Sequence, residues 1–240
     1  MKAASWKSEI ESALSSQLAA SFKFKEKSLP EGITTGIPEI DSLAGGIPRG
    51  RITEIFGPAS SGRTSVLLST IAQATIRQEV CALVDTQDRL DPLSAAAAGM
   101  DLDRLLWIRC NGNSEYALKI TDLLLQGGGF GLVALDLGDI SIKSARRIPS
   151  VFWFRFRRAI ENTPTSLIVL EQASNVQSSA WLVLEMKRES IEWSGSPGFR
   201  LLHDVQIGVQ NLGKNFFTTE ARRTRRKEFN IFSVSSVSPW

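Results

Sequence analysis

The chain has 240 residues, 42% of them apolar and 22% charged, as in an ordinary soluble globular protein with one large domain or one core with small appendages. No run approaches the roughly 20 uninterrupted apolar residues of a membrane span. Met1-Lys2-Ala3-Ala4-Ser5-Trp6 lacks the apolar stretch of a signal peptide, so a cytoplasmic location and no membrane partner are expected. Ile10, Leu14 and Leu18 fall at helical spacing between Ser5 and Ala20. Ser21 to Lys27 then alternates apolar and charged residues, which suits a short strand. Residues 1–33 are therefore expected to be a helix-strand arm that wraps the core or docks on another subunit, with 34–240 forming the core domain.

Turn formers punctuate Pro30 to Gly50, with a short helix expected over Pro38 to Leu43. The run Ile52-Thr53-Glu54-Ile55-Phe56 reads as a strand, and Val66-Leu67-Leu68-Ser69-Thr70-Ile71 as the start of a helix reaching about Arg77. Strands follow at Val80 to Asp85, Leu105 to Ile108, Leu132 to Asp136 and Ser166 to Gln172. Helices at Asp91 to Gly99, Ser114 to Leu125 and Phe152 to Asn162 separate them. From Trp181 the strand-like runs succeed one another without helices: Trp181 to Met186, Arg200 to Gln210, Phe216 to Arg222 and Phe229 to Val234. This order predicts an α/β fold, a mostly parallel sheet with helices on both faces and antiparallel strands at the C-terminal edge.

Between the first strand and its helix lies Gly57-Pro58-Ala59-Ser60-Ser61-Gly62-Arg63-Thr64-Ser65. Two glycines five apart let the backbone curl its N–H groups toward an anion, and the helix N-terminus adds its positive end. This is the phosphate-binding pattern G-x-x-x-x-G-K-[ST], with Arg63 at the lysine position. Cys81 and Cys110 sit on apolar runs and read as buried thiols, and a single His203 excludes a multi-histidine metal site. Net charge is only +3, but cations cluster at Arg222, Arg223, Arg225, Arg226 and Lys227, and again at Arg146, Arg147, Arg155, Arg157 and Arg158. Such runs are usually solvated faces; the alternative is contact with a nucleic-acid backbone or an acidic partner.

Several blocks together resemble the RecA recombinase family. Gly45-Gly46-Ile47-Pro48-Arg49-Gly50-Arg51-Ile52-Thr53-Glu54-Ile55-Phe56 resembles that family's entry to its phosphate loop, and Cys81 to Pro92 its next strand and catalytic turn. Ala117 to Asp122 and Leu135-Asp136 resemble the helix and metal-side strand that follow. The resemblance implies a RecA-like core with ATP and Mg²⁺ as cofactors. It places nucleotide contacts at residues 57–65, Asp91 and Gln172, and metal contacts at Thr64 and Asp136. Capping of strand ends remains an alternative role for Asp136 and Gln172. The arm resembles the family's subunit-docking segment, which implies self-association or docking on a RecA-like neighbour.

Three departures bear on activity. Arg63 replaces the lysine that reaches the terminal phosphates, and a long planar fork cannot simply take a compact ammonium's place. The family's catalytic glutamate falls on Gln87, whose amide can hold a water but cannot take its proton. Asp85 or Asp88 are the candidate substitutes. Leu93-Ser94 follows Asp91-Pro92 where the family stacks adenine on an aromatic ring. The connection Ala173 to Ser179 is also too short for the family's mobile DNA loop, and Lys143 to Pro149 replaces the other.

A short core with this pattern of losses resembles the ImuA type of RecA relative. That resemblance implies an accessory factor of bacterial DNA damage repair and translesion synthesis, within the SOS response. Its partners would be a RecA-like recombinase or a translesion polymerase-like protein, and single-stranded DNA, with Arg146, Arg147 and Arg222 to Lys227 as candidate contacts. The alternative is a slow ATP-dependent, DNA-binding recombinase.

Overall fold

In the computed structural model, which describes residues 32–194, 201–212 and 229–235, the apolar runs become the centre of a single sheet. The elements in chain order are α1 (Pro38–Ala44), β1 (Ile52–Phe56), α2 (Arg63–Ile76), β2 (Cys81–Asp85), α3 (Pro92–Ala97) and β3 (Leu105–Arg109). They continue with α4 (Ser114–Gly127), β4 (Leu132–Asp136), α5 (Ile142–Ala145), α6 (Ser150–Ile160), β5 (Ser166–Glu171), β6 (Leu182–Ser194), β7 (Leu201–Asn211) and β8 (Phe229–Ser235). Among the described residues the sheet has eight strands in the order β3-β2-β4-β5-β1-β6-β7-β8. Strands β3 to β6 in that order run parallel, and β7 and β8 each pair antiparallel to the preceding strand.

Every residue of β2 and β5 is buried, as expected where helices cover both faces of a parallel sheet. On one face Val66, Leu67 and Ile71 of α2 pack on Ile55, Leu83, Ala134, Ile168 and Leu170. On the other, Ala117 and Leu118 of α4 and Trp153, Phe156 and Ile160 of α6 pack on Ile52, Val84, Val133, Leu135 and Val169. Successive strand residues alternate between the two layers, so each strand contributes to both cores. Cys81 and Cys110 are free, buried thiols. Burial pushes the Cys81 thiol up to about 12.

Two elements depart from the expected bounds. β6 runs on to Ser194 instead of ending near Met186. Its continuation, Lys187-Arg188-Glu189-Ser190, is exposed and pairs with β7 through the backbone, so no apolar pattern marks it. The helix α5 was not anticipated; Ser141 caps it by accepting from the Ser144 N–H at 3.1 Å. At the other end of the core, Ile33 pairs with Ile47 and is fully buried. Core structure thus begins by Ile33. The arm's remaining residues, the expected strand Phe216 to Arg222 and the cluster Arg222 to Lys227 lie outside the described residues.

The strand order sets the site. With β4, β5 and β1 adjacent, the loops leaving their C-terminal ends meet at one edge of the sheet. That is where open parallel sheets hold ligands.

Candidate phosphate-loop site

The loop leaves β1 at Gly57 and enters α2 at Arg63. Gly62 is the N-cap at φ 86°, a left-handed conformation that glycine adopts without cost, and no side chain caps the helix. The first-turn N–H groups of α2 are therefore available to an outside acceptor, and no acidic residue opposes an anion there. Pro58, Ala59, Ser60 and Thr64 are exposed, whereas Gly57 and Ser61 are buried. A side chain on Gly57 would strike the Met186 carbonyl of β6, and one on Gly62 would strike Ile207 of β7. The antiparallel edge of the sheet is thus the floor of the loop. The Ser61 hydroxyl is buried and has no hydrogen-bond partner.

Arg63 does not reach over the loop. Its buried guanidinium crosses to the neighbouring strand ends, where Nη1 donates to the carbonyl oxygens of Glu171 at 2.5 Å and Gly138 at 3.3 Å. Nη2 also reaches the Gly138 carbonyl, at 3.4 Å. The Glu171 carbonyl accepts the Gly57 N–H as well, at 3.2 Å, so one oxygen ties the loop's first residue to its arginine. Burial lowers the Arg63 pKa, and the nearby carboxylates of Asp136 and Asp139 oppose that shift.

Asp136 ends β4 beside this guanidinium. Its Oδ1 accepts the Gly138 N–H at 2.8 Å, which is the local strand-end role open from the sequence. Burial, then the carboxylates of Asp85 and Asp139, push its pKa up to about 6, while the Gly138 N–H and Arg63 hold it down. At neutral pH it is mostly ionised, with the guanidinium as its neighbouring cation. Arg89 pairs with Asp139 at 3.2 Å and fastens the loop after β2 to the loop after β4.

The other candidate residues are dispersed in role. Asp85 accepts from the N–H groups of Gln87, Arg89 and Leu90 and from the Trp107 indole, at 2.8–3.2 Å. Oδ2 takes three of these bonds and Oδ1 one, so both oxygens are engaged in holding the turn after β2. Asp88 adopts φ 61° and faces Arg109 at 3.6 Å. The Gln87 amide lies against Gly112, its Oε1 3.9 Å from where a side chain there would begin. Asp91 caps α3, accepting from Leu93 N, Ser94 N and Ser94 Oγ, and Ser94 holds its pKa below the usual range. Leu93 is 82% exposed and presents an aliphatic chain, not a ring. Gln172 is half-buried immediately after β5. Arg146 and Arg147 are exposed at the end of α5, while Arg155 pairs with Asp122 and Arg157 lies 5.7 Å from the Phe154 ring.

The fit to the implied cofactors splits. The loop backbone, the uncapped helix end and the unpartnered Ser61 hydroxyl suit a phosphate. Magnesium fits poorly: it needs near-octahedral oxygen donors at about 2.0–2.1 Å, and Asp136 already has a backbone donor and a fixed guanidinium beside it.

Sequence reasoning passed over a buried acid pair. Glu54 and Glu171 are fully buried on one face of adjacent strands, where Phe56 is the register partner of Glu171. Glu54 accepts from Asn175 N at 2.6 Å, Val176 N at 2.9 Å and Ser174 Oγ at 2.9 Å, and so pins the connection after Gln172. Neither Glu171 carboxyl oxygen has a partner at hydrogen-bond geometry, although the Asn175 side chain is near enough to lower its pKa somewhat. Burial and the Glu54 carboxylate push Glu171 up to about 9. An acidic residue inside each of two apolar strand runs was the available signal.

Comparison with known proteins fits this geometry. The family model described as the RecA N-terminal domain matches residues 9–144. The RecA protein of Ectopseudomonas oleovorans is 35% identical over 156 residues, covering 58% of this chain and 44% of its own. That of Brucella canis is 43% identical over 108 residues, covering 44% of this chain and 30% of its own. The chain therefore spans less than half the length of these curated relatives. A crystal structure of the RadB recombinase superposes with a TM-score of 0.58 at 17% identity, covering 77% of this chain and 90% of that one. That likeness bears on the fold alone.

Proposed function

Because the chain belongs to the family of the RecA N-terminal domain, we propose that it is a RecA-fold accessory protein of bacterial DNA repair of the ImuA type. It acts by binding partners and does not turn over ATP at enzyme rates. The observation that carries this reading is the position of Arg63. Its guanidinium is spent on the Gly138 and Glu171 carbonyls, where a phosphate-reaching cation would have to be free. Gln87 cannot accept a proton, Asp85 is engaged by four donors of its own turn and of Trp107, and Asp88 faces Arg109 at 3.6 Å. Positioned proton transfer alone typically contributes 10²–10⁴-fold to a rate. Its loss supports slow or absent hydrolysis.

The partners that fit are a RecA-like recombinase or a translesion polymerase-like protein, with single-stranded DNA as a further ligand. The arm, residues 1–33, is the proposed element for self-association or docking, and the core from residue 34 the scaffold. Among the described residues no helix is long and apolar enough to cross a membrane; a cytoplasmic site of action is part of this proposal.

A second reading, a slow recombinase ATPase, draws on the retained loop backbone and on Asp136. It requires Arg63 to leave its two carbonyls. ATP hydrolysis measured with and without single-stranded DNA decides between them. Background rates in both conditions are expected. Turnover of about 1 s⁻¹ or more, the lower end of typical enzyme rates, and its loss in Asp136→Ala would overturn the accessory reading.

A further inference from the structure

We propose that the Arg63 guanidinium is the site's built-in cation, replacing a divalent metal, so that this loop binds phosphate-bearing anions without magnesium. The inference rests on reading the loop as a retained phosphate cradle without turnover, and it concerns how that cradle is charged.

Three features place a permanent cation where a dissociable one would serve. First, the guanidinium is buried and fixed by two main-chain carbonyls from different strand ends, Glu171 at 2.5 Å and Gly138 at 3.3 Å. Those are hard oxygen acceptors, the kind that a magnesium ion or its waters would otherwise engage. Second, Arg63 and the Asp136 carboxylate flank the same residue. A side chain built on Gly138 would begin 2.9 Å from Asp136 Oδ1 and 3.2 Å from Arg63 Nη1. Asp136 and Asp139 are the charges that favour the charged guanidinium. Part of the local negative charge is thus offset by the chain itself.

Third, the anion side of the site is separate from this ion cluster and remains open. The N-terminus of the 14-residue helix α2 is uncapped, its first turn carries no acid, and the buried Ser61 hydroxyl in the loop has no partner. An anion entering there meets backbone N–H groups and a helix end. Asp136 is turned to the Gly138 N–H, and the nearby guanidinium offsets part of its charge. A dication added beside Arg63 would be repelled by it and would find the Gly138 and Glu171 carbonyls occupied.

Calorimetric titration of the wild-type chain with ATP and with inorganic pyrophosphate, in magnesium and in EDTA, tests the proposal. Dissociation constants within about twofold of each other in the two buffers are expected. Arg63→Lys withdraws the fork from both carbonyls and should bind at least tenfold more tightly with magnesium than without, a difference of about 1.4 kcal/mol. Wild-type binding that requires magnesium, or that is undetectable in both buffers, overturns the proposal. So does an Arg63→Lys variant with no metal preference. Should that variant not fold, titration of the wild type with Mn²⁺, followed by electron paramagnetic resonance, is decisive. No saturable site is expected, and one site per chain that disappears in Asp136→Asn overturns the idea. ATP hydrolysis by the wild type would end the accessory reading, whereas metal-dependent binding without hydrolysis would end only this inference.

Discussion

At the scale of single residues, Glu171 imposes a pH dependence on the whole fold. Burial and the neighbouring Glu54 carboxylate raise it from an ordinary 4.5 to about 9, so at neutral pH the folded chain holds a proton there that the unfolded chain releases. The slope of unfolding free energy with pH follows the excess of protons bound in the unfolded state. Here that excess is negative, so this residue lowers stability as pH rises from about 4.5 toward about 9. Glu171→Gln removes the titration while keeping the shape. Urea midpoints between pH 5 and pH 8 should therefore fall less steeply in Glu171→Gln than in the wild type. The difference accumulated across that window is on the order of 1–3 kcal/mol. Parallel curves for the two proteins would show that Glu171 is ionised in the folded state.

Glu171 also bears on what a sequence discloses. Glutamate at the end of an apolar strand is an ordinary sight, and nothing in Leu167 to Gln172 says whether its carboxyl meets water. Its burial beside Glu54 of the adjacent strand depends on sheet pairing that the run itself does not show. Arg63 is the same kind of case. The substitution was visible as an anomaly in the phosphate-loop pattern, but its direction depends on two carbonyls 75 and 108 residues away.

Elements were more legible than side-chain directions, because the strands of the parallel core are mostly apolar runs and several helices carry a side-chain cap. Asn113 accepts from the Tyr116 N–H at the start of α4, and Asp91 caps α3. Legibility ended where pairing is carried by the backbone alone, as in the charged far half of β6. That hairpin nonetheless shapes the site, since its strand β6 abuts the loop at Gly57. Gly57→Ala would drive a methyl group into the Met186 carbonyl, a main-chain atom that cannot rotate aside. Overpacking of this kind typically costs about 1–3 kcal/mol, and the loop would move off β6. Chemical denaturation should show that loss, together with weaker pyrophosphate binding. Alanine tolerated with neither change would mean that the loop is not seated on the antiparallel edge.

For the whole molecule, the RecA-like fold follows from the order of strands and helices, but its use depends on surfaces the core presents. The exposed pair Arg146 and Arg147 stands at the end of α5, and Ala145 of that helix is tied to the pinned connection through its carbonyl, which accepts from Asn175 Nδ2 at 2.8 Å. The two connections that stand where the family carries its DNA loops are therefore joined to each other, and Glu54 anchors the second of them to the sheet. A rigid base of this kind fits a short, fixed phosphate-contacting surface better than a mobile one. If Arg146 and Arg147 each neutralise one phosphate, single-strand binding should lose counterion release on reversal of both to Glu. The slope of log affinity against log salt should then become shallower by roughly 0.7 per lost contact, or about 1.4 for the pair. Fluorescence anisotropy with a labelled oligonucleotide across a salt series reads that slope directly. An unchanged slope, with unchanged affinity, would assign the pair to solubility or to an acidic protein partner. The cluster Arg222 to Lys227, reversed in the same way, would then be the remaining candidate for the nucleic-acid contact.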